Sequence, residues 1–309
     1  MIFTPAYAKL NLALSVVGRL PDGRHELRSV VVRLDWHDLV GVEVGFAAGA
    51  EVGAEAGAGI GAATGPEAMA AGEAPEIAVN VSGPAAAEVP VESNLVLRAA
   101  RAVLAGRPIG AVRLCLEKRL PVAAGLGGGS ADAAAVLRLL GGAGSSGSGP
   151  RMLRLADTLG SDVPACLAGG SLLVGGAGER LETILHPPLD LAVVVAGRSS
   201  TAATFAALTP DEWRGPERPE ALAGLLVQGW PVAPELCGSD LEAAACRAHP
   251  ELAAGLLRLR DALPGTTWHL TGSGGAVFAL AAGRSEAEAV AARARALGFA
   301  ARACRTVAV

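Results

Sequence analysis

The chain has 309 residues, a length that favours two domains, and 51% of them are hydrophobic against 18% charged, which is typical of a folded globular protein. Gly, Pro or a charged residue interrupts every long apolar run, so we expect no membrane partner, and a net charge of −4 without a basic stripe argues against a nucleic-acid partner. The N-terminal sequence lacks the pattern of a secretion signal, so we expect a cytoplasmic protein.

The first predicted elements are strands. Alternating hydrophobicity over 10–17, the turn residues Pro21-Asp22-Gly23 and an apolar run over 27–34 predict a β-hairpin, and a third strand follows near 39–44. Residues 46–75 are almost wholly Ala, Gly and Glu. That composition predicts a poorly ordered surface insertion.

A strand, a helix and a second strand come next along the chain. The first strand is predicted at 77–81, and the helix opens at Ser93 or Asn94, of which Asn94 is a favoured N-cap residue. The second strand is predicted at 112–117. A proline and a glycine-rich loop over 121–129 then lead into an amphipathic helix that we expect to start at Ser130. The order is therefore strand, loop, helix.

The second half of the chain predicts a separate domain. A helix over 151–160 and a short helix opened by Ser161-Asp162-Val163-Pro164 precede a boundary near 168–171, so we expect domains at 1–168 and 169–309. The later elements read as an α+β layer of ferredoxin-like type. Its strands and helix are predicted at 172–174, 191–195, 267–270, 277–280, 285–297 and 303–309.

Lysine is rare in this chain. Of the 26 basic residues only Lys9 and Lys118 are lysines, and the rest are arginines. Where arginine is the default cation, a lysine indicates a place that needs a compact ammonium group. Lys9 lies on an apolar strand beside Asn11, so its side chain either extends to the surface or is held inward for a reason.

The strongest local motif is GLGGGS at 125–130. Glycines directly before a helix let backbone amides approach an anion where the helix dipole also favours negative charge, so the motif favours phosphate binding. It is not a Walker A loop, because Gly129 stands where that loop has lysine, and it is not a dinucleotide fingerprint, because Ser130 stands where that motif has glycine.

Two further motifs carry polar groups that suit a phosphate site. Asp162 could cap the helix that follows it or accept a proton from an attacking hydroxyl. The sequence TGSGG at 271–275 offers a second set of glycine amides, or simply a hairpin turn.

The five histidines lack metal-ligand spacing and no GxSxG elbow is present, so a metallohydrolase or serine hydrolase is not expected. The five scattered cysteines are expected to be reduced, buried side chains.

Three stretches, PAYAKLN at 5–11, PVAAGLGGGSADAA at 121–134 and LTGSGGAVF at 270–278, together resemble the three motifs of the GHMP small-molecule kinases. The segments DGRHELRSV at 22–30 and GSDVP at 160–164 resemble the branch that phosphorylates the 2-hydroxyl of 4-CDP-2-C-methyl-D-erythritol in the non-mevalonate isoprenoid precursor pathway. The resemblance implies an α+β two-domain GHMP kinase fold, with a ribosomal-protein-S5-like N-terminal domain and a ferredoxin-like C-terminal domain. It also implies ATP and Mg²⁺ as cofactors, with the metal bound mainly through the nucleotide.

The resemblance also implies roles for individual residues. Asp162 matches the catalytic base and Lys9 its partner, while Lys118 matches a position near the adenine and Asn94 one that helps to hold the nucleotide. The residues implied in ATP binding are Pro121, Val122, Ala123, Ala124, Gly125, Leu126, Gly127, Gly128, Gly129, Ser130, Ala131, Lys118 and Asn94. The residues implied in binding the acceptor are Asn11, His25, which recognises cytosine, Phe205, which closes over that base, and the loop Gly272, Ser273, Gly274 and Gly275.

The chain departs from the family pattern at two positions. Arg24 stands where the family has tyrosine before the histidine, and Ser239 stands where an NDLE sequence is usual. Two alternatives remain beside the main hypothesis. One is another GHMP kinase, of homoserine or mevalonate type, and the other is a nucleotide-binding regulator that keeps the fold without turnover.

Overall fold

A computed structural model describes residues 1–45, 75–89, 94–107, 109–141 and 149–307. The insertion predicted at 46–75 lies outside the described residues, apart from Pro75. None of the helices in these ranges is long and apolar enough to cross a membrane. The strands are β1 (Ile2–Arg19), β2 (His25–Gly45), β3 (Glu76–Ser82), β4 (Ala111–Glu117), β5 (Ser171–Gly176), β6 (Arg180–Ile184), β7 (Asp190–Val195), β8 (Gly238–Ser239), β9 (His269–Leu270), β10 (Ala276–Ala281) and β11 (Ala300–Arg305).

The helices follow the same chain order. They are α1 (Leu95–Leu104), α2 (Gly128–Gly141), α3 (Pro150–Leu159), α4 (Val163–Ala168), α5 (Thr201–Ala207), α6 (Glu217–Val227), α7 (Glu242–Ala248), α8 (Pro250–Ala262) and α9 (Arg284–Ala296).

The chain divides into two compact units. The first unit comprises 1–7, 37–122 and 128–168, and the second comprises 8–36, 123–127 and 169–309. The second unit therefore includes 8–36 and 123–127, which come before the boundary expected from the sequence. The domains at 1–168 and 169–309 stay a prediction.

In the first unit, helices cover a small sheet. The end of β2 pairs antiparallel with β4, and β3 pairs parallel with β4. Val112, Leu114 and Leu116 alternate along β4 and point to one face, where they join apolar side chains of α1, α2, α3 and α4 in a single core. Alternation on the strand and helical spacing on the helices therefore bury the same face.

In the second unit, the predicted hairpin is confirmed. The strands β1 and β2 are hydrogen-bonded neighbours. Their turn is closed by hydrogen bonds from Leu20 N to Arg24 O (2.8 Å) and from Gly23 N to Leu20 O (2.9 Å). Gly23 adopts a φ of 86°, which glycine permits without strain. The start of β2 pairs with β5, β5 pairs with β6, and β1 pairs in parallel with β8.

The second unit also contains a separate four-stranded antiparallel sheet in the order β11-β7-β10-β9. Ala192 and Val194 lie two residues apart on β7 and so point to the same face. Ala192 packs against α9, whereas Val194 packs against α8. Both helices therefore cover one face of this sheet.

The structure corrects four element boundaries. The runs predicted at 27–34 and 39–44 form one strand, because Leu34 and Trp36 stay buried while Asp35 and His37 alternate outward. Helix α2 begins at Gly128 instead of Ser130. The strand predicted at 267–270 is shorter (β9), and the last strand occupies Ala300–Arg305 instead of 303–309.

Candidate functional site

Lys9 on β1 is held inward. The residue is 8% exposed, and its Nζ donates a 2.9 Å hydrogen bond to Asn11 Oδ1. The Asn11 side chain donates from Nδ2 to Ser29 Oγ (2.8 Å), and its backbone N donates to Thr271 Oγ1 (2.8 Å). The ammonium group of Lys9 is therefore positioned by Asn11, which is itself held by one side-chain and one backbone hydrogen bond.

Two glycine loops approach this lysine. A Cβ at position 127 would lie 2.6 Å from Lys9 Cγ, and a Cβ at position 272 would lie 3.5 Å from Lys9 Nζ and 3.0 Å from Asn11 Oδ1. Both glycines have positive φ, 67° at Gly127 and 57° at Gly272. Side chains are thus excluded from both positions by the backbone conformation and by the space that Lys9 and Asn11 occupy.

The same two loops also contact each other. Ala276 N donates to Ala124 O (2.7 Å), and a Cβ on Gly125 would collide with the carbonyl oxygen of Gly274. The predicted phosphate-binding and acceptor-facing loops therefore meet over part of their length, at 123–127 and 272–275. The structure brings Lys9, Asn11 and these loops together in the second unit.

Helix α2 presents its first turn directly after the glycine loop. Its first residues are Gly128, Gly129 and Ser130, whose backbone N–H groups have no partner within the helix because they lie in the first turn. Such amides, together with the helix dipole, favour an anion at this end.

Lys118 lies beside the start of α2 in a buried cluster with two carboxylates. Its Nζ donates to Asp38 Oδ2 and, at 2.9 Å, to Asp132 Oδ2. Asp38 is fully buried, and its Oδ1 also accepts from the backbone N of Arg119 (2.5 Å) and Leu120 (2.7 Å). A Cβ on Gly128 would lie 3.2 Å from Lys118 Nζ. The cluster therefore fixes the turn that leads into the glycine loop.

This cluster changes the pKa of two of its members. Burial raises the pKa of Asp132, the Lys118 ammonium lowers it and Asp38 raises it, with the result that it rises from 3.8 to about 7. Burial lowers the pKa of Lys118, but the charges of Asp132 and Asp38 outweigh burial and raise it above its usual value. Within the described part of the chain, the buried Asp132 Oδ1 has no hydrogen-bond partner.

We expect Asp132→Asn to flatten the pH dependence of stability. Because the pKa of Asp132 is about 7 in the folded chain and 3.8 is its ordinary value, the folded chain keeps a proton between these pH values that the unfolded chain has lost. Stability from this group is complete below pH 4 and is lost as the pH rises through 7, with a slope of up to about 1 kcal/mol per pH unit. Urea unfolding at several pH values measures this slope for wild type and variant.

The exposed Asp261 on α8 provides the matched control. Asp261→Asn should keep the wild-type slope between pH 4 and pH 7. An Asp132→Asn variant with an unchanged slope would contradict the raised pKa.

Asn94 caps α1. Its Oδ1 accepts from Val96 N at 2.9 Å, as the sequence predicts for an N-cap residue, while its buried Nδ2 has no hydrogen-bond partner among the residues that the structure describes. The capping role is confirmed, and the nucleotide-binding role stays a prediction.

Asp162 lies directly before α4. Its carbonyl accepts from Cys166 N at 3.0 Å, which places it at the first turn of that helix, and its side chain is half-buried. The sequence-based prediction that this motif opens a short helix is confirmed. Its role as catalytic base stays a prediction.

His25 and Phe205 form an aromatic pair. Their ring centroids are 4.9 Å apart at an interplanar angle of 25°, and Trp213 approaches the His25 ring edge-on at 6.1 Å. Burial and the charge of Arg19 lower the pKa of His25, so the neutral ring is favoured near pH 7. The structure thus brings together the two residues implied in binding the acceptor's base and adds a third aromatic ring.

The two departures from the family pattern occupy different environments. The exposed Arg24 pairs through Nε with Asp22 Oδ2 at 2.8 Å. Ser239 is buried, and its Oγ donates to Gly272 O at 2.7 Å. Ser239 therefore supports the predicted acceptor loop.

Several polar residues of these clusters have no distinctive sequence signal. Asp38 lies within a strand, Asp132 within an alanine-rich helix and Ser29 within an apolar run. Only Thr271, the first residue of the motif TGSGG, has a position that could have indicated its role. Cys166, Cys237 and Cys304 are buried as expected, but Cys115 and Cys246 are only half-buried.

Comparison with known proteins finds a family model and relatives that agree with one another. A family model for the N-terminal domain of GHMP kinases matches residues 94–170. The 4-diphosphocytidyl-2-C-methyl-D-erythritol kinase of Rhizorhabdus wittichii is 40% identical over 296 residues, which cover 92% of this chain and 87% of the relative. The enzyme of the same name from Paracoccus denitrificans is 40% identical over 302 residues, covering 95% and 91%.

Solved structures agree with these relatives. The crystal structure of a 4-(cytidine 5'-diphospho)-2C-methyl-D-erythritol kinase matches with a TM-score of 0.71 and 32% identity, covering 100% of both chains. The L. major mevalonate kinase in complex with R-mevalonate matches with a TM-score of 0.64 but only 14% identity, covering 100% of this chain and 96% of the other. At 14% identity, the likeness to the mevalonate kinase concerns the fold alone.

Proposed function

This chain belongs to the 4-diphosphocytidyl-2-C-methyl-D-erythritol kinase family of GHMP kinases, and on that premise we propose that it transfers the γ-phosphoryl group of ATP to the 2-hydroxyl of 4-CDP-2-C-methyl-D-erythritol. This reaction is a step of the non-mevalonate isoprenoid precursor pathway. The chain has the mixed α/β GHMP kinase fold, and membership of the family implies the use of ATP. The observation that carries the proposal is the convergence of the buried Lys9 with two glycine loops.

The finer fold assignment is also our proposal. The C-terminal domain at 169–309 is ferredoxin-like, which is supported by the order β7, α8, β9, β10, α9, β11 around the antiparallel sheet β11-β7-β10-β9, with α5, α6, β8 and α7 inserted between β7 and α8. The N-terminal domain at 1–168 is ribosomal-protein-S5-like.

In the proposed reaction, backbone amides bind the phosphates. The loop 125–130 supplies glycine amides and the first turn of α2, and both favour a negatively charged group. Lys9 offsets the charge of the γ-phosphoryl group as it moves, and Asp162 accepts the proton of the attacking hydroxyl.

Mg²⁺ is proposed to enter with the nucleotide. The described residues contain no group of three or more His, Cys, Asp or Glu side chains that could hold a metal ion. Mg²⁺ in kinase sites takes most of its ligands from phosphates and water and needs only one or two carboxylates from the protein. When bound, the metal neutralises charge on the phosphates.

The acceptor is proposed to bind through its base. The rings of His25 and Phe205 supply a stacking surface, and the neutral imidazole can donate or accept a hydrogen bond at the base edge. Asn11 and the loop 272–275 face the hydroxyl end of the acceptor. The cytoplasmic location and the absence of a nucleic-acid partner stay predictions.

A panel of acceptors tests the proposed function. ADP release is measured with 4-CDP-2-C-methyl-D-erythritol, the same sugar alcohol without the cytidine diphosphate group, homoserine and mevalonate. We expect kcat/KM to be highest for the cytidine-bearing acceptor by at least about 100-fold, because an unfilled site for the base loses binding energy. A preference for homoserine or mevalonate would favour another GHMP kinase, and absence of turnover with every acceptor would favour a regulator.

We expect Lys118→Arg to act on ATP binding. A guanidinium keeps the charge that pairs with the two buried carboxylates but is wider than the ammonium beside Gly128. The KM for ATP should rise several-fold while kcat stays within about twofold, because a contact on the nucleotide's base contributes equally to ground and transition states. Steady-state kinetics at saturating acceptor measure both constants, and a loss of kcat with unchanged KM would show that Lys118 acts in the chemical step.

A further inference from the structure

His249 connects a helical junction to the start of α5. Its backbone is fixed by both neighbouring helices, since its N donates to Ala245 O (2.9 Å) and its carbonyl accepts from Ala253 N (3.1 Å). Its ring Nε2 lies 3.2 Å from the backbone N of Ser200, the residue that caps α5. A backbone N–H can only donate, so Nε2 accepts in this contact.

Thr204 extends this contact to the loop 272–275. Its backbone N donates to Ser200 O (3.0 Å), and its fully buried hydroxyl gives its one hydrogen to Ser273 O (3.1 Å), so Thr204 Oγ1 lies beside His249 Nε2 at 3.2 Å without donating to it. At the surface, Thr201 Oγ1 and Ser273 Oγ lie 2.9 Å apart. One network therefore joins the helix that carries Phe205 to the loop that faces the acceptor.

The loop itself lies against the helices α7 and α8. A Cβ on Gly274 would lie 2.8 Å from Leu252 Cδ2 and 3.5 Å from Ala245 Cβ, and Gly274 adopts a φ of 104°. Because the backbone approaches these helices so closely, the position of the loop depends on the junction at which His249 lies.

We propose that His249 is a positioning residue for the acceptor substrate, acting through Ser200 and Thr204 on α5 and on the loop 272–275. This inference rests on the proposed function, because that function assigns Phe205 and the loop to the acceptor. Two backbone hydrogen bonds connect this region to the ATP-side loop, from Ala276 N to Ala124 O (2.7 Å) and from Ser199 N to Ala123 O (3.3 Å), and neither uses the side chain of His249 or Thr204. Loss of the network therefore weakens acceptor binding more than ATP binding.

Two matched pairs of variants test this role. His249→Leu removes the ring nitrogen that accepts the hydrogen bond from Ser200 N. His249→Gln can replace it with an amide oxygen that accepts the same hydrogen bond at a similar distance from the backbone. Thr204→Val removes the buried hydroxyl at nearly constant shape, whereas Thr204→Ser keeps it. We expect the KM for the acceptor to rise about three- to tenfold in His249→Leu and Thr204→Val, and to change less than twofold in the other two. The KM for ATP should change less than about twofold throughout.

The double variant His249→Leu/Thr204→Val adds a further requirement. Because the two side chains belong to one network, its effect on the acceptor KM should be smaller than the product of the single effects. An unchanged acceptor KM in both disruptive variants, or an equal rise in both KM values, would overturn the inference. If His249→Leu does not fold, the Thr204→Val and Thr204→Ser pair decides alone.

Phe205→Ala separates this inference from the proposed function. A raised acceptor KM in Phe205→Ala, with normal values in His249→Leu and Thr204→Val, would overturn the positioning role and leave the function intact. Absence of phosphoryl transfer by the wild-type chain would overturn both.

Discussion

Asp162→Asn is expected to reduce kcat by about 100-fold or more, because an amide cannot accept the proton of the attacking hydroxyl. Stability should barely move, since asparagine is as good a helix-capping residue as aspartate and the side chain is only half-buried. Turnover is measured at saturating ATP and acceptor, and the unfolding free energy is measured in urea.

The exposed Asp157 on the preceding helix α3 offers the matched control. Asp157→Asn removes a nearby carboxylate without touching the proposed base, so kcat should stay within about twofold of wild type. If the Asp162→Asn chain folds normally and turns over at the wild-type rate, the general-base assignment is wrong.

Lys9→Arg is expected to reduce kcat by about 100-fold although it keeps the positive charge. The aliphatic part of the Lys9 side chain packs against the backbone of Gly127, since a Cβ at position 127 would lie 2.6 Å from Lys9 Cγ. Lys9 Nζ already donates a hydrogen bond to Asn11 Oδ1. A planar guanidinium is wider than an ammonium and would displace Asn11 or the loop. A displacement of about 1 Å at a reacting centre can cost on the order of 100-fold in rate.

The comparison with Lys118→Arg makes the Lys9 experiment specific. The same substitution at the other lysine should change the KM for ATP and leave kcat nearly intact, so the pair separates chemistry from nucleotide binding. Circular dichroism and thermal unfolding check that both variants are folded. A Lys9→Arg chain with wild-type kcat would remove Lys9 from the chemical step.

The sequence was sufficient where a local pattern determines structure. The turn at Pro21-Asp22-Gly23, the cap at Asn94 and the strand at 112–117 each depend on neighbouring residues, and the structure agrees with all three. The scarcity of lysine also pointed to two positions that are now seen to be buried. The glycine motifs indicated loops, though not that 123–127 and 272–275 contact each other.

Contacts between distant parts of the chain could not be predicted in this way. Asp38 binds Lys118 across 80 positions of sequence and Asn11 binds Thr271 across 260. Asp38 belongs to no sequence motif, and the motif that begins at Thr271 does not indicate which residue it contacts. Pairing of this kind is determined by how the strands and helices pack. The continuation of β2 through Asp35 was also missed, since single polar residues interrupt a run of apolar letters without ending a strand.

The central claim is that this chain phosphorylates the 2-hydroxyl of 4-CDP-2-C-methyl-D-erythritol, and the chemical identity of the product tests it most directly. The wild-type chain is incubated with ATP, Mg²⁺ and this acceptor, and the product is examined by phosphorus NMR. We expect one new phosphomonoester, attached at the 2-hydroxyl, formed in a one-to-one ratio with ADP. Phosphate on a different hydroxyl, or ADP and free phosphate without a phosphorylated acceptor, would contradict it.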